Sequence, residues 1–229
     1  MHIKMKFHRI LTTLIVGLIV AICFFLVPDS TSHTFAQTQK KTDPDDIALK
    51  FKSGDIIFQQ TASEQSDAIA LATNSKYTHC GIIFKTEKSV SVLEALQPVV
   101  MTPLTDFIKR GVNGHFVVKR YQEGQRQLKE EEIQRLQEVS TQFIGKDYDS
   151  EYRWSDDQIY CSELIWKIYK RAVGIEIGQP QKLKEFDLSS ELVNTKLQDL
   201  YGDEIPYEEL IIAPAQLFNS SLLITVYSN

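Results

Sequence analysis

Two cysteines and two histidines carry most of the chemistry that this sequence offers. Catalysis by a cysteine needs a thiolate, a nearby imidazole and a third group that orients the imidazole. Beyond residue 36 the histidines are His79 and His115, and the cysteines are Cys80 and Cys161. These residues allow four cysteine–histidine pairs, so the local sequence around each residue has to separate them.

Cys161 lies where an acidic stretch gives way to a helical pattern, in the segment DDQIYCSELIWK (Asp156 to Lys167). The pattern predicts that the thiol lies at or just before the first turn of a helix, where free backbone N–H groups and the helix dipole stabilise an anion. With a histidine nearby, such a position lowers a cysteine pKa from about 8.5 to roughly 3.5–7.5. The same N–H groups can hold an oxyanion. The alternative is that Cys161 is a small packed residue.

Cys80 belongs to a predicted strand, THCGIIFK (Thr78 to Lys85). Alternate residues of a strand face opposite sides, so Cys80 shares one face with Ile82 and Phe84. Because this face is apolar, Cys80 is predicted to be a core residue. The same alternation turns His79 to the other side of the strand, away from Cys80.

His79 and Glu94 are expected on neighbouring strands. Gly81 follows His79 on the same face and leaves space for a neighbour or a ligand, while Glu94 interrupts the apolar run VSVLEAL. If the two segments pair as a hairpin, Glu94 can accept a hydrogen bond from the imidazole and fix its tautomer, as the third member of a triad does. The alternatives are a structural histidine and an exposed edge glutamate. His115, at the start of a later strand, is interpreted as a surface or hydrogen-bonding residue.

The N-terminus predicts a leader. The basic segment MHIKMKFHR precedes 18 apolar or neutral residues, Ile10 to Val27, and Thr34-Phe35-Ala36 offers a cleavage site. This pattern is typical of a signal peptide or of a retained membrane anchor. We expect a leader over residues 1–36, a polar linker over 37–50 and an exported domain over 51–229.

The composition of the chain limits its possible fold class and partners. The 229 residues are 43% apolar with a net charge of −5. This apolar content suffices for one buried core, and the acidic balance argues against nucleic acid as a partner. Strands come mainly before the long helices, which favours an α+β fold. The predicted strands are Gly54–Gln60, Thr78–Lys85, Ser89–Leu96, His115–Tyr121 and Ser220–Tyr227, and the predicted helices are Ser66–Asn74, Thr102–Gly111, Gln127–Ile144 and Ser162–Gly174.

Five segments in order, GDIIF, YTHCGIIF, VLEAL, GKDYD and YCSELIWKIY, resemble the permuted papain-like cysteine hydrolases. Among these the chain is similar to the YiiX/YebB-like branch of the NlpC-type superfamily, over roughly Lys52 to Gly174. The resemblance implies an antiparallel sheet or half-barrel packed against helices. It also implies cleavage of amide or ester bonds through an acyl-enzyme.

The resemblance also implies roles for individual residues. Cys161 corresponds to the nucleophile, His79 to the general base and Glu94 to the residue that orients the base. Candidates for substrate binding or for the oxyanion are Tyr148, Tyr160 and Ser162. No cofactor is expected, and no metal site is expected either, since the cysteines and histidines do not supply three or four converging ligands.

The substrate stays open at this point. Export and an amidase-like site suggest a cell-wall peptide. The related lecithin:retinol acyltransferase-like proteins suggest instead a lipid-directed hydrolase or acyltransferase, which an apolar groove would favour. A non-catalytic envelope binding module is a further alternative, and a disulfide between Cys80 and Cys161 would leave no nucleophile. Residues 179–214 are expected to form a flap or a helical insert.

Overall fold

The computed structural model describes residues 47–229, and the predicted leader over residues 1–36 lies outside this range. The strands are β1 (Ile56–Thr61), β2 (His79–Lys85), β3 (Val90–Ala95), β4 (Val99–Pro103), β5 (Gly111–Tyr121), β6 (Asp147–Tyr148), β7 (Gln158–Ile159), β8 (Gln181–Lys182), β9 (Leu210–Ile211) and β10 (Leu223–Ser228). The helices are α1 (Glu64–Thr73), α2 (Leu104–Arg110), α3 (Glu130–Thr141), α4 (Cys161–Val173), α5 (Glu191–Tyr201) and α6 (Pro214–Phe218). Among residues 47–229, no helix is long and apolar enough to cross a membrane.

A six-stranded sheet in the order β10-β5-β1-β2-β3-β4 lies at the centre of the fold. Every neighbouring pair in this sheet is antiparallel. The sheet and the helices packed on it confirm the predicted combination of an antiparallel sheet with helices. β4 is an addition to the predicted strands. Pro98 precedes it and Pro103 ends it, and such prolines are typical of turns but are also tolerated on the edge strand that β4 forms.

The strand alternation builds two apolar layers, one on each face of the sheet. The first layer joins alternate residues of β1, β2 and β3 to α4, and it includes Ile56, Phe58, Ile82, Leu93, Leu164, Ile165 and Ile168. The second layer joins the intervening residues to α2, and it includes Ile57, Ile83, Val92, Leu104, Phe107 and Val118. Each fully buried side chain of this size contributes about 1.5–3 kcal/mol. The register of the sheet is therefore fixed from both sides.

Helix α4 carries the predicted nucleophile at its first residue. The residues predicted to share one face of this helix are all buried, namely Leu164, Ile165, Ile168, Tyr169 and Ala172. Gly174 ends the helix in the left-handed conformation, at φ 70°, where its N–H bonds carbonyls of the last turn. Lys170 and Arg171 in that turn complement the helix dipole.

Residues 179–214 form the predicted insert, which contains a short antiparallel pair, β8 with β9, and the helix α5 between them. Helix α5 packs against α1. The insert therefore lies beside the helix that follows β1, and the two helices face each other across the space that is described below as a cavity.

Gly81 is required for the close approach of β2 and β3. A Cβ atom at this position would lie 2.8 Å from the carbonyl oxygen of Leu93 and would overlap the side chain of Val92. The sequence analysis predicted that Gly81 leaves space for a neighbour, and the neighbour is the backbone of the strand that carries Glu94.

We expect Gly81→Ala to lower the free energy of unfolding by about 2–3 kcal/mol, because the added methyl overpacks against backbone. Gly124→Ala is the comparison variant, since its Cβ would meet open space and its cost is limited to the left-handed φ, about 1 kcal/mol. Urea denaturation of both variants measures the difference. A Gly81→Ala protein as stable as Gly124→Ala would contradict the packing argument.

Candidate active site

Cys161 is the first residue of α4, and Tyr160 precedes it in an extended conformation as the N-cap. At a helix N-terminus the first-turn N–H groups have no intrahelical partner, and the helix dipole favours a negative charge there. The residue is 4% exposed and lies in the first apolar layer. It is also one of the residues that line a cavity.

His79 is brought to this sulfur by its place as the first residue of β2. Its imidazole interacts with the Cys161 side chain, and its Nε2 lies 2.6 Å from Oε2 of Glu94. With Nε2–H donated to the carboxylate, Nδ1 is the nitrogen that can accept the proton of the Cys161 thiol. The three predicted catalytic residues are therefore brought together in one chain of contacts.

Glu94 is fully buried on β3, and each of its oxygens has a partner. Oε2 faces His79, and Oε1 accepts a hydrogen bond from Nη2 of Arg110, the last residue of α2. The hydroxyl of Thr102 on the neighbouring strand also bonds this carboxylate. Burial would raise the pKa of Glu94, but the contacts with His79 and Arg110 hold it below its ordinary value. Glu94 is therefore a carboxylate at neutral pH.

Cys80 also contacts the predicted nucleophile. It is buried in the first apolar layer, as predicted, and it lies beside Cys161, whose pKa it lowers. Both thiols are free, so the disulfide alternative does not hold for this structure. Burial raises the pKa of Cys80 well above its ordinary value, so Cys80 stays a protonated donor.

The environment of Cys161 favours its thiolate. The hydrogen bond from Cys80 and the contact with His79 outweigh burial and lower the pKa of Cys161 well below its ordinary value. Burial alone would lower the pKa of His79, but its contacts with Cys161 and Glu94 raise it to about 9. Because this pKa exceeds the ordinary value of about 6.5, the stability that His79 contributes is complete below pH 6.5 and is lost as the pH rises through 9. A thiolate–imidazolium pair is thus favoured at neutral pH.

The three candidates for substrate binding or for the oxyanion have identifiable contacts. The hydroxyl of Tyr160 accepts from the N–H of Ile212, and the hydroxyl of Ser162 donates to the carbonyl of the same residue, 2.7 Å away. Tyr148 lines the cavity and bonds Tyr152. The roles of these three residues in substrate binding or oxyanion stabilisation stay predictions. Their contacts with Ile212 and Tyr152 were not predicted from the sequence.

Sequence reasoning missed several groups around the site. Arg110 ends a predicted helix, and nothing in its spacing links it to Glu94. Tyr152 carries a hydroxyl that accepts from Nε2 of Gln65 and whose pKa is raised to about 12 by burial, so it remains protonated. Its backbone has φ 51°, an uncommon conformation for a bulky residue that is often found at functional sites.

His115, interpreted from the sequence as a surface or hydrogen-bonding residue, contacts the carbonyl oxygen of Asn229.

The cavity that Cys161 lines has a volume of about 350 Å³ and is predominantly apolar. Helix α1 contributes one wall, α5 the opposite wall, and the residues after β9 contribute the floor. Its apolar lining includes Ala68, Ile69, Ala72, Phe186, Val193, Leu197, Leu200 and Ile212. Within the described part of the chain, no group of three or more histidine, cysteine, aspartate or glutamate side chains is arranged to hold a metal ion.

Comparison with known proteins places the chain in a family. Residues 50–227 match the family of permuted papain-like amidase enzymes described as YaeF/YiiX, C92 family. The chain therefore belongs to the permuted papain-like amidases. As a member of that family it is a cysteine hydrolase of the amidase or peptidase type.

Two relatives support this membership. The uncharacterized protein YiiX of Escherichia coli strain K12 is 45% identical over 180 residues, which cover 79% of this chain and 88% of that protein. The crystal structure titled metalloprotein yiiX, from Escherichia coli O157:H7, is also 45% identical. It superimposes with a TM-score of 0.75 over 79% of this chain and 98% of that one.

The two thiols should differ sharply in reactivity. We expect iodoacetamide to modify Cys161 well below pH 8.5 and to spare Cys80, because the first is stabilised as a thiolate and the second is buried and protonated. Peptide mapping by mass spectrometry after timed labelling of the folded protein measures both rates.

The matched variant for this measurement is His79→Gln, which should move the labelling midpoint of Cys161 upward, toward the value of an ordinary thiol. Equal labelling of Cys80 and Cys161 in the folded protein would count against the thiolate assignment.

Proposed function

We propose that the protein hydrolyses amide bonds of substrates that carry an apolar acyl group, with Cys161 as nucleophile, His79 as general base and Glu94 as the residue that orients it. One observation carries the proposal, namely that this chain of contacts ends at Cys161, a residue that lines an apolar cavity. Membership of an amidase family supports the reaction class.

The proposed reaction begins with the thiolate–imidazolium pair. The Cys161 sulfur attacks the carbonyl carbon of the substrate, and the carbonyl oxygen takes the negative charge. Backbone N–H groups of the first turn of α4 are the donors proposed for that oxyanion. His79 then protonates the leaving amine from Nδ1, which leaves a thioester on Cys161.

The second half of the reaction reverses the role of the imidazole. Neutral His79 accepts a proton from water, the water oxygen attacks the thioester carbon, and the thiolate leaves with the acyl product released as a carboxylate. Glu94 holds the ring in one tautomer throughout, so Nδ1 faces the sulfur in both steps. In an acyltransferase, another acceptor would take the place of water.

The cavity favours an acyl substrate over the cell-wall peptide that the sequence analysis also considered. Peptide stems are polar and charged, whereas transfer of each methylene from water into this lining is favourable by about 0.8 kcal/mol. The lining is mostly apolar in surface but also has polar and charged residues, among them Gln65, Thr78, Tyr152, Lys196 and Asp199. A substrate with an apolar acyl chain and a polar amide matches this distribution, and we propose lipid-like amides, with esters as the second class.

We also propose that the enzyme acts outside the cytoplasm, either released or held at the membrane by residues 10–27. The basic N-terminus followed by the apolar stretch supports this location. Cell fractionation, combined with N-terminal sequencing of the recovered protein, distinguishes a cleaved leader from a retained anchor, and recovery in the cytoplasm alone would contradict export.

Replacing the nucleophile should stop turnover without unfolding the protein. We expect Cys161→Ala to lower kcat for an N-acyl amide by at least about 1,000-fold, because no other thiolate is placed to form the acyl-enzyme. Product release is measured by liquid chromatography and the fold by thermal unfolding. Cys80→Ala removes the neighbouring thiol that lowers the pKa of Cys161, so it should lower kcat much less than Cys161→Ala does. A Cys161→Ala protein that retains turnover would refute the role of nucleophile.

The apolar lining should set chain-length preference. Leu200 lines the cavity and is 37% exposed, so Leu200→Glu adds a charge there without burying it. We expect kcat/KM for long-chain N-acyl amides to fall about tenfold, which corresponds to about 1.4 kcal/mol, and to change little for N-acetyl amides.

The matched control is Ile224→Glu, at 39% exposure on β10 and outside the lining residues. Peptidoglycan fragments form the second substrate set. Faster cleavage of these fragments than of any acyl amide, with no effect of Leu200→Glu, would overturn the substrate class while leaving the cysteine mechanism standing.

A further inference from the structure

We propose that Arg110 is a positioning residue, which holds the buried Glu94 ionised and aligned on His79. The inference rests on the proposed function in taking His79 and Cys161 as the reacting pair. It goes beyond that function in adding a fourth member to the chain of contacts, so that the order becomes Cys161, His79, Glu94 and Arg110.

Burial of the Glu94 carboxylate is costly unless both of its oxygens have partners. Its side chain has no exposed surface, and an isolated carboxylate in such a place would either be strongly destabilising or take up a proton. His79 neutralises one oxygen, at 2.6 Å, but its own charge changes during the proposed reaction. Arg110 bonds the other oxygen through Nη2, and a guanidinium does not change its charge in the pH range in which an imidazole does. Arg110 therefore keeps Glu94 a carboxylate when His79 becomes neutral.

Local structure holds the guanidinium in place. Arg110 is the last residue of α2, where a cation is favoured by the helix dipole. Its Cζ lies 5.6 Å from the centre of the Phe107 ring, one turn earlier on the same helix. The other neighbour of that ring is His79, which stacks on it at 5.7 Å between centroids and 26° between planes. Phe107 therefore contacts both cationic partners of Glu94 and restricts their movement.

Charge counting gives the direction of the effect. With the thiolate–imidazolium pair formed, Cys161 and Glu94 carry two negative charges and His79 and Arg110 two positive charges. The groups that bear on Glu94 are His79 from β2, Arg110 from α2 and the hydroxyl of Thr102 from β4, while Cys161 from α4 bears on His79 and Cys80 bears on Cys161. Removing Arg110 leaves a net negative site. Loss of a proton then becomes harder for both Cys161 and His79, so both pKa values rise.

The test is the titration of the His79 imidazole by NMR in the full-length protein, which needs no substrate. We expect Arg110→Met to raise the pKa of His79 by about 0.5–1 unit. This is less than the 1–3 units of a directly adjacent charge, because Arg110 acts across Glu94. The alkylation midpoint of Cys161 should rise with it. Arg110→Lys should reverse at least half of the shift, since it restores the charge.

Two controls separate positioning from general electrostatics and from stability. Lys109→Met removes the same charge from the neighbouring residue, which is exposed and paired with Asp106, and it should move the pKa of His79 by less than about 0.2 unit. In a Glu94→Gln background the effect of Arg110→Met should fall below half of its size in the wild type. If Arg110→Met does not fold, Arg110→Gln keeps a donor for Glu94 without the charge and should produce the same upward shift.

The outcomes are distinct. A lowered melting temperature with an unchanged His79 titration would show that Arg110 is merely structural and would overturn the inference. An equal shift in the Glu94→Gln background would show that Arg110 does not act through Glu94, and would overturn it as well. Failure to hydrolyse any acyl amide would refute the proposed substrate class and leave the titration result standing.

Discussion

The ionised carboxylate of Glu94, buried between two cations, is the interaction on which the rest of the site depends. A buried carboxylate is tolerated when its oxygens are satisfied, and here a histidine and an arginine face one oxygen each. That requirement fixes Nε2 of His79 as the donor and leaves Nδ1 for the sulfur. It also ties together three elements, since β2, β3 and the end of α2 each supply one of the three residues.

At the start of β2, side chains from both faces of the sheet contact the sulfur of Cys161. His79 and Cys80 are the first two residues of the strand and alternate in direction, yet both contact Cys161 at the start of α4. Cys80 does so from within the first apolar layer. His79 is held on the side of Phe107, which belongs to the second layer. The catalytic groups therefore lie at the end of a strand, where a side chain can extend past the edge of the sheet from either face.

Much of this arrangement could be predicted from local sequence. Cysteine at a helix start, histidine on one strand and glutamate in an apolar run on the next strand are short-range patterns, and each lies where it was expected. The parity argument for Cys80 was right about its burial, but it overlooked the helix that packs on that face. β4 was not predicted, because its flanking prolines are more typical of turns.

The remaining features depend on contacts between distant segments, which a single sequence does not encode by spacing. Arg110 meets Glu94 because α2 folds back across β3, and the two residues share no periodic pattern. The cavity combines α1 with α5, more than a hundred residues later in the chain. Neither helix by itself has a sequence pattern that indicates a cavity. The apolar space between them becomes evident when the helices are placed together.

The paired contacts of Tyr160 and Ser162 with Ile212 give the substrate cavity a mechanical link to the nucleophile. One residue before Cys161 and one residue after it are both hydrogen-bonded to Ile212 in the floor of the cavity, through its N–H and its carbonyl oxygen respectively. A displacement of that floor would pull on both sides of the sulfur at once and would tilt the whole first turn of the helix. The depth to which an acyl chain fills the cavity would therefore affect the orientation of the Cys161 thiolate.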